Sequence, residues 1–249
     1  MNLAEEDAAA ENRRRVGVVV DRPDLRGRVA VFEDREDAGR ALASLLGRYR
    51  GSGAVLVAIP AGGVPVAAAA AAELGLPLDV AVVSKITPPQ STEIGYGAVA
   101  FDGTSRIDSE RADDLGLSGD VRRRGIERTA EKVRRRVGRL RGGVPAPDVA
   151  GKTAILVDDG IASGMTLLVA AEAVKKLGPA EIVIAAPTGH ARSVERLARF
   201  VEAVCCANIR GGLGFAVADA YRRWTDVADD EVEKILARSR VGVPAARPD

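Results

Sequence analysis

Ala154-Ile155-Leu156-Val157-Asp158-Asp159-Gly160-Ile161-Ala162-Ser163-Gly164-Met165-Thr166 is the stretch whose reading decides the fold. A short, wholly apolar run ends in two carboxylates. Such a run predicts a strand covered on both faces, as in a parallel sheet. A loop of small residues follows, then a helix over residues 165–177 with Thr166 in its first turn. Main-chain N–H groups at a helix start, joined by the Ser163 and Thr166 hydroxyls, make an anion cradle. Gly164 lets the backbone approach a phosphate, whose place a side chain there would occupy. Paired carboxylates are wrong for a phosphate but suit the vicinal hydroxyls of a ribose, or a cation bridging the ligand. Phosphate at one end and diol at the other describe a ribose 5-phosphate.

Outward from this segment, other apolar runs have strand length: residues 54–59, 78–83, 181–185 and 201–205, beside 153–157 itself. Helical stretches at 64–74, 165–177 and 191–200 lie between several of them. Strands alternating with helices predict an α/β fold with a doubly wound, mainly parallel sheet. Residues 34–50 carry Ala38, Ala41, Leu42, Leu45 and Leu46 at the spacing of an amphipathic helix. The first dozen residues read as a frayed tail. Residues 16–20 and 28–32 are short β-branched runs separated by Pro23 and Gly27, which predicts a hairpin.

A long insertion, residues 85–150, separates the second and third apolar runs. It opens with the loop chemistry of Pro88, Pro89, Gln90 and Ser91. Residues 94–101 read as a strand pair or hairpin arm. Residues 121–140 read as a helix with Val121, Ile126, Ala130, Val133, Val137 and Leu140 on one stripe. Its other face is crowded with Arg and Lys. That face is either solvated, with pairs such as Glu131 and Arg135, or a surface for polyanions.

Composition narrows the chemistry. The chain has 249 residues, and Lys plus Arg number 36 against 35 for Asp plus Glu. That balance argues against nucleic acid as a partner. The two cysteines, Cys205 and Cys206, are adjacent and form no disulfide framework. A lone histidine, His190, excludes multi-His metal sites and most His-based triads; it sits at a strand end as a cap, a surface residue or a functional group. No leader-like apolar core is present in the first residues, and a reducing, cytoplasmic setting fits. Residues 54–72 carry no charge over membrane-spanning length, but Pro60, Gly62, Gly63 and Pro65 break them into strand, turn and helix. There is no Gly-x-Ser-x-Gly elbow, no P-loop sequence, and no dinucleotide-binding spacing of glycines.

The 154–166 segment resembles the PRPP-binding signature of the type I phosphoribosyltransferases. Three aliphatics precede two acidic residues, a short loop, Gly, any residue, and Ser or Thr. Gly160 departs from a branched aliphatic common there. Ile59-Pro60-Ala61-Gly62-Gly63-Val64-Pro65 resembles the family's pyrophosphate loop. Many relatives carry Arg or Lys where this chain has Ala61. Lys85, at a strand end, is placed to supply a compensating charge, or is a plain surface lysine. The stretch from Ser84 through Glu93 to Val99, and residues 215–232, are similar to a subgroup of predicted members with unassigned substrate. The resemblance covers about residues 31–236.

The resemblance implies a fold and a reaction. Residues 31–249 would form one phosphoribosyltransferase-like domain with a small C-terminal hood at about 206–236, a flexible closing loop within the insertion, and an N-terminal extension over 1–30. The reaction would be Mg²⁺-dependent displacement of pyrophosphate from PRPP by a nucleobase or other nitrogen acceptor. Asp158, Asp159 and Lys85 would be catalytic, the two carboxylates meeting Mg²⁺ indirectly, through ligand or water. Ala162, Ser163, Gly164, Met165 and Thr166 would hold the 5-phosphate, and Ala61, Gly62 and Gly63 the pyrophosphate. Tyr221 and Trp224 would hold the acceptor in the hood, or else simply anchor the C-terminal segment. Ala162 stands where the 6-oxopurine members carry an acid, which disfavours a hypoxanthine–guanine substrate. The family also implies a homodimer. The alternative is a regulator on the same fold that binds PRPP or a nucleotide without turnover.

Overall fold

Residues in the short apolar runs alternate between two sides, and each side is covered. A computed structural model describes residues 16–91, 94–142, 146–212 and 214–241. The described strands are β1 (Val18–Val20), β2 (Val55–Ala58), β3 (Leu78–Val80), β4 (Val83–Ile86), β5 (Gly97–Ala100), β6 (Ser105–Ile107), β7 (Thr153–Val157), β8 (Glu181–His190) and β9 (Ala203–Arg210). The helices are α1 (Arg35–Leu45), α2 (Gly63–Leu74), α3 (Ser109–Asp114), α4 (Gly119–Arg141), α5 (Met165–Lys175), α6 (Ala191–Leu197) and α7 (Asp229–Val241).

Six strands form a parallel sheet in the order β1-β9-β8-β7-β2-β3. Leu56, Ala58, Ile155 and Val157 face a core built with α1 and α2. Val55, Val57, Ala154 and Leu156 face the opposite core, built with α5 and α6. Both sides of each central strand are therefore apolar, which is why no alternation marks them in the sequence. No helix among the described residues is long and apolar enough to cross a membrane. Residues 54–72 are instead β2, a turn and α2.

Three expectations are corrected. Residues 16–20 and 28–32 do not form a hairpin: β1 pairs in parallel with β9, and Phe32 bridges Tyr221. The strand expected within the N-terminal extension is thus an edge of the main sheet, and the frayed tail lies outside the described residues. The run at 78–83 is split: β3 closes the parallel sheet, while β4 opens an antiparallel one, β4-β5-β6. The hood segment begins only after Arg210, because residues 206–210 belong to β9.

Candidate functional site

The strand order reverses between β2 and β7. β3 lies on one side of β2, whereas β7, β8 and β9 continue on the other. Ligands of open α/β sheets bind at the carboxyl ends of the strands at such a switch point. The two turns singled out in the sequence leave these two neighbouring strands.

The turns touch. A Cβ built on Gly62 would lie 1.8 Å from Asp159 Oδ2, and one on Gly63 would lie 2.5 Å from the Val157 carbonyl oxygen. Only glycine lets the turn after β2 lie against the carboxylates after β7. The Pro60–Ala61 peptide in this turn is cis. The Asp159 amide donates to Asp158 Oδ1 at 2.9 Å. Burial raises the pKa of both carboxyls: Asp158 lies well above the usual range, pushed further by the Asp159 charge. Asp159 is raised less, because the Arg35 guanidinium offsets part of the desolvation.

Arg35 was not predicted from sequence. Its Nε donates to Asp159 Oδ2 at 3.0 Å, its Nη1 donates to the Thr225 carbonyl at 2.7 Å, and its guanidinium lies 3.9 Å from the Trp224 ring centre. The signal was available: Arg35 falls on the buried stripe of α1 with Ala38 and Leu42, where a charge needs a partner.

The loop after Asp159 is held from the end of β8 and from α6. Ile161 bridges Gly189, the Ser193 hydroxyl donates to the Ala162 carbonyl at 2.6 Å, and Arg196 donates to the Ser163 carbonyl. The helix α5 starts at Met165 without a side-chain cap, although the Met165 amide reaches Ser163 Oγ at 3.3 Å. First-turn amides of a helix lack acceptors within it, and Met165 and Thr166 of this first turn border a cavity. One reason given for Gly164 is corrected. Its φ is +71°, and an added Cβ would meet Leu197 Cδ1 at 3.0 Å. The glycine is required by the turn and the packing beneath it, so a side chain there presses into the core.

Two cavities flank this centre, and both reach Lys85. The first, about 390 Å³, is lined by Ala162, Ser163, Gly164, Met165 and Thr166 together with Asp108 and Arg111 from the insertion. Arg111 and Asp108 carried no motif; Asp108 caps α3, accepting from the Arg111 amide at 3.0 Å. The second, about 740 Å³, is lined by Ala61, Lys85 and the basic face of α4, with Asp226 and Asp229 opposite.

The hood folds back on the acidic strand end. The Tyr221 hydroxyl donates to the Asp159 carbonyl at 2.6 Å, and its ring is buried between Phe32 and Trp224. Tyr221 therefore anchors the hood, whereas Trp224 keeps 37% of its surface exposed. His190 ends β8 and meets Phe215 edge-on at 5.6 Å. Cys205 and Cys206 are buried free thiols, and burial pushes Cys205 up to about 11 and Cys206 higher, so neither offers a thiolate. Glu93 lies outside the described residues.

The model for the phosphoribosyl transferase domain matches residues 32–219. Two curated Mycobacterium tuberculosis proteins, provisionally named phosphoribosyl transferases Rv0571c (strain H37Rv) and MT0597 (strain CDC 1551), are each 36% identical over 214 residues. The match covers 84% of this chain and 47% of theirs, so the chain spans about half the length of these curated relatives. Among solved structures, TT1426 from Thermus thermophilus is 33% identical with a TM-score of 0.66, over 83% of this chain and 98% of that one.

Proposed function

We propose, given that this chain belongs to the phosphoribosyl transferase family, that it transfers the 5-phosphoribosyl group of PRPP to a nitrogen acceptor. The bond from C1 to the pyrophosphate oxygen breaks with its electrons on the leaving group. A bond from C1 to the acceptor nitrogen forms, and the acceptor's proton passes to solvent. The observation that carries this reading is the close approach of the Gly62–Gly63 turn to Asp158 and Asp159. It brings a pyrophosphate-type turn, an acidic pair and a phosphate-type loop to one sheet edge.

The roles follow from the chemistry of each group. The amides and hydroxyls at Ser163 and Thr166 bind the 5-phosphate, with Arg111 across the cavity. The carboxylates of Asp158 and Asp159 receive the ribose hydroxyls. Lys85, bordering both cavities, neutralises charge between the two phosphate ends. The reaction needs no covalent nucleophile, since positioning and charge neutralisation support a loose, oxocarbenium-like transition state.

Magnesium fits the donor set in one manner only. Asp158 and Asp159 are hard oxygen donors, but among the described residues no group of three or more His, Cys, Asp or Glu can hold a metal ion. A Mg²⁺ ion would therefore ride on the ligand's oxygens, with the two carboxylates acting through ligand or water. Its chemistry when bound is to neutralise the departing pyrophosphate.

The test is a screen by mass spectrometry for phosphoribosylated products, with PRPP, Mg²⁺ and a panel of nucleobases and small amines, alongside pyrophosphate release. One acceptor class should yield a product and equimolar pyrophosphate. PRPP binding without product or pyrophosphate for any acceptor would favour the regulator, and no PRPP binding would overturn both readings. Light scattering of the same protein tests the homodimer that belongs to this reading.

A further inference from the structure

We infer that the basic face of α4 is a pyrophosphate seat, in which Lys132 and Arg135 supply the positive charge that Ala61 does not. The inference rests on the transferase reading and adds residues to it. Lys132, Arg135, Arg136 and Arg139 recur at the spacing of one helical stripe, and all of them line the cleft that holds Ala61 and Lys85.

The stripe's rotation is fixed by its neighbours. Arg136 makes a two-pronged ion pair with Asp229, at 2.7 and 3.2 Å. Arg139 is held by Asp230 and Glu233. The fully buried Arg141 grips Asp79 and the Val80 carbonyl of β3. These contacts consume Arg136, Arg139 and Arg141 in holding α4 against α7 and the sheet edge. What they leave over is directed into the cleft.

Lys132 forms no ion pair among the described residues, although its charge is felt by Asp229. Among the described residues Arg135 has one ion pair, exposed, at 3.4 Å to Glu131, and Glu131 is also held by Arg134 at 2.6 Å. An exposed pair of that kind is worth little and gives way to a multiply charged ligand. Acidic groups in the cleft are Asp226 and Asp229, and Asp229 is already balanced by Arg136. The cleft therefore presents an excess of positive charge beside a turn that offers backbone but no cation. Among the described residues no aromatic ring lines it, so they offer no platform for stacked bases and suit a compact anion. Its volume, about 740 Å³ against about 390 Å³ for the phosphate cavity, leaves room for a diphosphate.

The experiment is titration calorimetry with inorganic pyrophosphate and, separately, ribose 5-phosphate, each with Mg²⁺, on the full chain. Four proteins are compared: wild type, Lys132→Ala/Arg135→Ala, Arg123→Ala/Arg124→Ala, which removes the same charge from the same helix outside the cleft, and a conservative exchange at the first pair of positions. Pyrophosphate affinity should fall more than tenfold in the first variant and less than twofold in the second, while ribose 5-phosphate affinity stays unchanged in both. The conservative Lys132→Arg/Arg135→Lys variant should keep pyrophosphate binding. The inference is overturned if wild type does not bind pyrophosphate, if the first variant binds it as wild type does, or if both Ala variants lose it equally. Failure of the transferase reading has a separate signature: wild type that does not bind ribose 5-phosphate.

Discussion

Arg35 and Asp159, 124 positions apart in the chain, form an ion pair at 3.0 Å, with the Arg35 guanidinium stacked on the Trp224 ring. The pair joins the first helix, the acidic strand end and the hood. Both side chains are largely buried, at 10% and 16% exposure, so the pair matters mainly through what its loss leaves behind. Breaking it abandons a buried carboxylate, while Thr225 loses its donor.

Arg35→Met should therefore lower unfolding free energy by about 3–5 kcal/mol, the range for removing one partner of a buried ion pair. Arg35→Lys should lose less, because it keeps the charge while giving up the fork that reaches both Asp159 and Thr225. Urea denaturation monitored through Trp224 measures both. Wild-type stability in Arg35→Met would mean that the Arg35–Asp159 pair does not fasten the hood.

Asp158 gives the opposite sign. Burial raises its folded pKa above the unfolded value near 3.8. A raised carboxyl favours the folded state only when protonated, so its contribution is present below the unfolded pKa and is lost as pH rises through the folded one. Asp158→Asn keeps the oxygen that accepts from the Asp159 amide and removes that cost. Without ligand or Mg²⁺, the variant should melt higher than wild type at pH 7, each kcal/mol appearing as about 2–4 °C. The gap should close as pH falls toward 4. A variant that melts lower at pH 7 would contradict the electrostatic account.

The strand–loop–helix at 153–175 was legible because its chemistry is local: an apolar run, two acids, small residues, a helix start. The β1 pairing was not, since it joins Val18–Val20 to Ala203–Cys205, far along the chain. The split after Val80 was hidden for another reason. Ala81 and Val82 are buried like their neighbours, so apolar pattern cannot mark where one sheet yields to another. Arg111 and the α4 stripe were visible only as charge; their meaning needed the cavity walls they share with Thr166 and Ala61.

The phosphate loop separates stability from binding. Gly164→Ala should cost about 1–2 kcal/mol without ligand, because a left-handed backbone disfavours a side chain and Leu197 stands in its way. Thr166→Ala should melt as wild type does, yet weaken ribose 5-phosphate by roughly 1.5–3 kcal/mol, the value of a hydrogen bond to a charged group. Melting curves and calorimetry together check both. A full ligand-induced shift in Thr166→Ala would move the phosphate elsewhere.

The insertion should respond to ligand unevenly. β4 and β5 are paired and buried, whereas residues 87–91 lie beyond the ladder near Lys85. Hydrogen exchange should slow at 87–91 when PRPP and Mg²⁺ are added, with little change at 97–100. Equal exchange with and without ligand at 87–91 would remove the closing role from this segment.

The central claim, that the acidic pair after β7 receives the ribose of PRPP, is tested most directly by calorimetry of PRPP with Mg²⁺ on wild type and Asp158→Asn. Asp158 is the cleaner position, since Asp159 also holds Arg35. Affinity should fall more than tenfold, about 1.4 kcal/mol or more, in a variant whose fold is intact by melting. Equal affinity in the two proteins would contradict the account.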